Sequence, residues 1–251
     1  MVDQQGGVTS LGDSLHCLRS AQKSSRGAPV YSLVVNRPLG RLFAALAHQA
    51  RLSPNQVSAI SATWTLAGIV LLAALPPNWV TALLVTAALV VGYALDAADG
   101  QLARLRGGGT LAGEWLDHVI DSIKIATLHL AVLINIYRFF SVDPAWLFIP
   151  LIFAATYIVH FFGMLLTDLL SRVQSNTNSS VSADGAQSSL MSILKLPTDY
   201  GVLCISFLLL AVPKAFLVVY TALAVAMLAY TVLVLPRWYA RIDRLGLARR
   251  P

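Results

Sequence analysis

The stretch from Tyr93 to Lys124 reads YALDAADGQLARLRGGGTLAGEWLDHVIDSIK and places Asp96, Asp99, Glu114, Asp117 and Asp121 within 26 positions. The 251-residue chain holds only 12 acidic residues, and these five are flanked on both sides by apolar runs long enough to cross a bilayer. With 57% hydrophobic and 12% charged residues and a mean hydropathy of +0.69, the chain reads as an all-α polytopic membrane protein and not as a soluble domain. Carboxylates are costly at such depth, so their clustering needs a chemical reason.

Working outward, the spacing predicts six transmembrane helices of about 20 residues each. They run over Pro54 to Leu75, Trp79 to Leu102, Leu111 to Ile136, Trp146 to Ser171, Tyr200 to Val212 and Ala215 to Leu235, the fifth being short unless it begins near Leu194. An amphipathic helix precedes them over residues 31–52, with a break at Pro38. It is expected to lie in the interface with Leu39, Leu42, Phe43 and Leu46 toward lipid. Residues 1–30 lack the apolar core of a secretory signal and read as a flexible cytoplasmic arm, and residues 237–251 read as a basic cytoplasmic tail. The membrane domain thus covers 31–236, and the Ser- and Asn-rich loop 174–193 reads as a solvated linker.

Charge sets the orientation. On this map 15 of the 18 Lys and Arg residues fall on the face that carries the termini, Arg138 and Lys214 fall on the other, and Lys124 lies in a span. Both termini are therefore expected in the cytoplasm. The same bias accounts for the net charge of +6, so no nucleic-acid partner is expected. Cys17 and Cys204 suggest neither a disulfide framework nor a CxxC metal site.

Asp96 and Asp99 lie near the cytoplasmic end of the second span, and Asp117 and Asp121 near the cytoplasmic start of the third. Spacings of three and four residues put each pair on one helix face, and the turn through RGGGT makes the two helices antiparallel neighbours. Four carboxylates converging in a partly apolar pocket need compensation. An all-oxygen set without His or Cys suits hard divalent cations, Mg²⁺ or Mn²⁺, with two ions bridged by shared aspartates. Such sites keep positions open for phosphate oxygens. Gly100, Ala103 and Gly113 clear room for a ligand, and Arg104 offers a guanidinium suited to phosphate.

Written out, the motif is Asp96-x-x-Asp99-Gly100-x-x-Ala103-Arg104, eight residues, then Gly113-x-x-x-Asp117-x-x-x-Asp121. It resembles the signature of the CDP-alcohol phosphotransferase family at all eight positions. The resemblance implies metal-dependent transfer of a substituted phosphate group from a CDP-alcohol to an acceptor hydroxyl, with release of CMP, in phospholipid biosynthesis. It further implies that Asp96, Asp99 and Asp117 ligate two divalent ions, with Asp121 near the metals and acting as the base. Gly100, Ala103, Arg104 and Gly113 would contact the CDP moiety, joined by Asn55, whose SPNQVS stretch is similar to an element opening the first span in many members. CDP-diacylglycerol is the favoured donor, and a homodimer in a bacterial cell membrane, with its active site on the cytoplasmic side, is the expected assembly.

Other residues have weaker claims. Lys124, Arg172 and Lys195 are candidates for the acceptor site, Lys124 also for balancing charge or snorkelling to the interface. Asp168 and Asp199 could contact a polyol. Glu114 reads as solvated, and His118 and His129 as packed helix residues. An aspartate-rich intramembrane prenyltransferase of the UbiA type would show two separated acidic motifs on more spans. A cation transporter would not require the grouping of Gly, Ala and Arg with the aspartates.

Overall fold

The computed structural model describes residues 30–177 and 199–247, together with Gly12, Leu15, His16 and Leu18. The described residues are almost entirely helical. The first helix opens with a π-helical turn, Ser32–Asn36, and continues as α1 (Arg37–Gln49). Four long helices follow: α2 (Pro54–Ala74), α3 (Trp79–Leu105), α4 (Leu111–Phe139) and α5 (Phe148–Thr177), the last entered through a short turn at Pro144–Leu147. After the undescribed stretch come α6 (Tyr200–Ser206), a tight turn Phe207–Ala211, and α7 (Pro213–Leu247).

Local sequence explains where these helices begin and end. Ser53 caps α2 in a reciprocal box, the Gln56 amide donating to Ser53 Oγ (3.2 Å) and the Ser53 amide to Gln56 Oε1 (2.7 Å), with Pro54 in the first turn. Asn78 caps α3 and Thr110 caps α4. At its far end α3 stops in a glycine cap. Gly107 and Gly108 adopt φ of +95° and +128°, and their amides donate to the carbonyls of Arg104 and Ala103.

Five of the helices are long and apolar enough to cross a bilayer. The expected fifth span is different. Tyr200 to Ala211 is too short, about 20 Å against the ~30 Å of a hydrocarbon core, and the stretch around Leu194 lies outside the described residues. Its placement is informative: the Tyr200 ring meets Tyr93 on α3 at 5.2 Å, while Phe207 meets Phe216 at 5.7 Å and Phe216 reaches Phe140 at the end of α4. The segment therefore runs from about one helical turn short of Asp96 to the opposite end of the bundle. The loop 174–193 lies mostly outside the described residues, and the expected tail begins as helix, since α7 continues through Pro236 to Leu247.

Two further expectations are corrected near the N-terminus. Pro38 does not break the first helix: the π-helical turn before it runs without interruption into α1, the Arg37 amide donating to the Ser32 carbonyl, and Pro38 sits in the first turn of α1. Leu42 and Leu46 are exposed as expected, but Phe43 packs inward against Ala44, Ala45, Val57, Ala98 and Leu102. Leu18 is fully buried in that same cluster. Asp199 fixes the other end of this helix by accepting from the amides of Tyr31 and Ser32 as well as Gly201. Its burial nevertheless holds the carboxyl above the usual range.

Packing is dominated by α2 against α3, with α1 laid across α3, α2 also touching α4, and α5 against both α4 and α7. A stripe of small and polar residues on α2 makes the first contact close. Ser58, Ser61 and Thr65 face α3; Ser61 Oγ donates to the Gly92 carbonyl at 2.8 Å, and a Cβ on Gly92 would collide with Thr65. The main apolar core lies farther along, where Leu72, Leu89, Leu128, Phe153, Phe207 and Tyr220 are buried together. Asn135 is accommodated there because its Nδ2 donates to the carbonyls of Leu72 and Leu75 at the end of α2.

Candidate active site

The last turns of α3 and the first turns of α4 carry the acidic motif, and α2 braces both helices. The expectation that α3 and α4 are close neighbours is met only through side chains. Their backbones scarcely approach one another, because α2 takes up the packing face of each. The helices are instead joined by Lys124. Its Nζ lies 2.5 Å from Asp96 Oδ1 on α3 and 3.3 Å from Asp121 Oδ1 on its own helix. The side chain is only 7% exposed, so Lys124 does not snorkel to the interface.

The other carboxylates have distinct settings. Asp99 is buried, and Ser58 Oγ on α2 donates to its Oδ2 at 2.5 Å. Asp117 and Asp121 form a three-residue group with His118, their ligand atoms all within 4.8 Å of one another. Asp99 in turn lies within electrostatic range of Asp96 and Asp117. The four aspartates therefore share one neighbourhood, approached from α2, α3 and α4. The hard oxygen donors fit a divalent cation, and the Lys124 ammonium already sits between two of them as a positive charge.

The small residues divide. The open side of Gly113 faces Asn55: an added Cβ would lie 3.1 Å from Asn55 Oδ1 and 3.2 Å from the capping hydroxyl of Thr110. Asn55 on α2 and the start of α4 are thus side by side, and Asn55 is not the helix cap, a position held by Ser53. Gly100 is beside the Arg104 guanidinium, 3.5 Å from the position its Cβ would take. Ala103 is half-buried, and its carbonyl is taken up by the glycine cap.

Among the acceptor candidates, Arg172 is engaged by two carboxylates. It bridges α5 to α4 through Glu114 (2.5 Å) and pairs with Asp168 on its own helix (2.6 Å). Glu114 and Asp168 are therefore ion-pair partners, Asp199 is taken up by backbone amides, and Lys195 lies outside the described residues. His129 is a packed residue as expected, buried against Phe153 with Nδ1 2.7 Å from the Tyr220 hydroxyl. His118 lies edge-on to Phe161 with Nε2 3.8 Å from Glu114 Oε1, and a ring nitrogen is also close to the carboxylates of Asp117 and Asp121. Ser58 is the residue that sequence reasoning left without a role. Its signal was present, since it closes the SPNQVS element and stands three and seven residues before Ser61 and Thr65 on one helix face.

The sequence model of the CDP-alcohol phosphatidyltransferase family matches residues 51–235. No functionally curated protein matches the chain. Among solved structures, it is similar to the Mycobacterium tuberculosis phosphatidylinositol phosphate synthase PgsA1, crystallised with CDP-DAG bound. Identity is 23%, with 82% of this chain and 94% of that one covered at a TM-score of 0.49. The family match spans the capped start of α2, the whole acidic motif and most of α7, and on that extent the chain belongs to the CDP-alcohol phosphatidyltransferase family.

Proposed function

We propose that the aspartates at the ends of α3 and α4 hold two divalent ions, Mg²⁺ or Mn²⁺, through which this family member transfers a phosphatidyl group from CDP-diacylglycerol to an acceptor hydroxyl, releasing CMP. The observation that carries this reading is the shared neighbourhood of the motif's carboxylates, two of them bridged by one ammonium. Membership of the family sets aside the prenyltransferase and transporter alternatives. Bound divalent ions would neutralise charge on the diphosphate and on the departing CMP.

The chain's own residues have the following roles. Asp96, Asp99 and Asp117 are ligands, with Asp99 oriented by Ser58. Asp121 takes the proton of the acceptor hydroxyl as that oxygen attacks the phosphorus bearing the lipid group. Asn55, which lies beside Gly113, and Arg104, which lies beside Gly100, would contact the CDP moiety together with Ala103. Lys124 and Arg172 have less support as acceptor ligands, since each is engaged by two carboxylates. The site faces the cytoplasm of a bacterial cell, supported by the distribution of Lys and Arg, and a homodimer follows from the family resemblance.

The test is CMP release by the purified protein, supplied with Mg²⁺ or Mn²⁺ and a panel of CDP-alcohols and hydroxyl acceptors. Turnover is expected to require the metal. Asp121→Asn is expected to retain its helical circular dichroism and lose turnover by at least about 100-fold, the low end of a general-base contribution. Wild-type rates in Asp121→Asn, or turnover undiminished by chelator, would overturn the assignment.

A further inference from the structure

We infer that Lys124 is a built-in counter-cation of the aspartate site, which holds Asp96 and Asp121 together across α3 and α4 and competes with the divalent ion for those same carboxylates. The inference rests on the metal-site reading above and adds a residue that the motif does not contain.

Three observations lead to it. The ammonium contacts one oxygen on each helix, at 2.5 Å and 3.3 Å, so it bridges the two halves of the site and is not paired within one helix. The side chain is 7% exposed although a lysine stem is long enough to carry its charge to water from near a helix end, so the charge is held inward by the carboxylates. The backbones of the helices it joins scarcely approach one another, so it is a side chain that ties Asp96 on one to Asp121 on the other. Carboxylates gathered at partial burial repel one another, and an internal cation offsets that repulsion.

A divalent ion seeking Asp96 and Asp121 therefore meets oxygens already occupied by a positive charge. Its entry requires Nζ to leave at least one of them, so affinity for metal is lower than the four carboxylates alone would provide. Lys124 is in this sense a positioning residue: it acts through Asp96 and Asp121.

The experiment is Mn²⁺ binding, without substrate, to purified full-length protein in detergent, read from the electron paramagnetic resonance signal of free Mn²⁺. Lys124→Met is expected to bind Mn²⁺ at least tenfold more tightly than wild type, and Lys124→Arg, which keeps the charge, to stay within threefold of wild type. The metal-free Lys124→Met protein is expected to melt at a lower temperature than metal-free wild type. If it does not survive without metal, it is purified in Mn²⁺ and the rate of Mn²⁺ loss to excess chelator is compared, with slower loss expected. Equal or weaker Mn²⁺ affinity in Lys124→Met, or equal tightening in Lys124→Arg, overturns the inference alone. No Mn²⁺ binding by any of the three proteins overturns it together with the metal-site reading.

Discussion

Among single residues, Ser58 shows how the site depends on a helix outside the motif. Asp99 is buried, and a buried carboxylate deprived of a donor carries an uncompensated charge. The Ser58 hydroxyl supplies that donor from α2, and hydrogen bonds to charged groups contribute roughly 1.5–3 kcal/mol. Ser58→Ala is accordingly expected to lower kcat/KM roughly 10- to 100-fold while leaving helix content unchanged. Activity within twofold of wild type would show that Asp99 is oriented by something else.

The contact between α2 and α3 governs the site at the level of elements. Ser61, Thr65 and Gly92 let the two helices approach, and the same pair of helices carries Ser58 and Asp99 about two turns away. A methyl group at position 92 has no space, because Thr65 would have to move. Overpacking of this kind costs about 1–3 kcal/mol, so Gly92→Ala is expected to lower the melting temperature by roughly 2–10 °C and to reduce turnover. Gly109→Ala serves as the contrast, since nothing lies within 4 Å of the added carbon; its melting temperature is expected to match wild type. Equal melting of Gly92→Ala and wild type would place the helix register elsewhere.

The whole molecule divides its site between helices that are held by different neighbours. α3 is packed by α1 and α2, whereas α4 is packed by α2 and α5, and α5 is tied on to α7. A ligand gripping Asp96 and Asp99 on one side and Asp117 and Asp121 on the other therefore couples these parts. A ligand that binds only the folded state stabilises it by about 2.7 kcal/mol at 100 times its dissociation constant. Saturating Mn²⁺ is expected to raise the melting temperature of the wild-type protein, and chelator to reverse the rise. An Asp96→Asn, Asp117→Asn double variant is expected to show no such shift. A shift of the same size in the double variant would assign the stabilisation to a different site.

Sequence alone determined the membrane class, the four long helices around the acidic motif and the family to which that motif points. Those features are written locally: in apolar run length, in Ser53, Asn78 and Thr110 as caps, in Gly107 and Gly108 as a stop, and in spacings of three and four that put side chains on one helix face. The tertiary structure decided what no local spacing contains. It held the α3 and α4 backbones apart with α2, placed Ser58 on Asp99, turned Arg172 to Glu114, and carried Lys124 inward to join Asp96 to Asp121. The physical reason is that a buried charge takes its partner from whichever helix packing brings within reach, and that helix stands 28 residues away for Lys124 and 41 for Asp99.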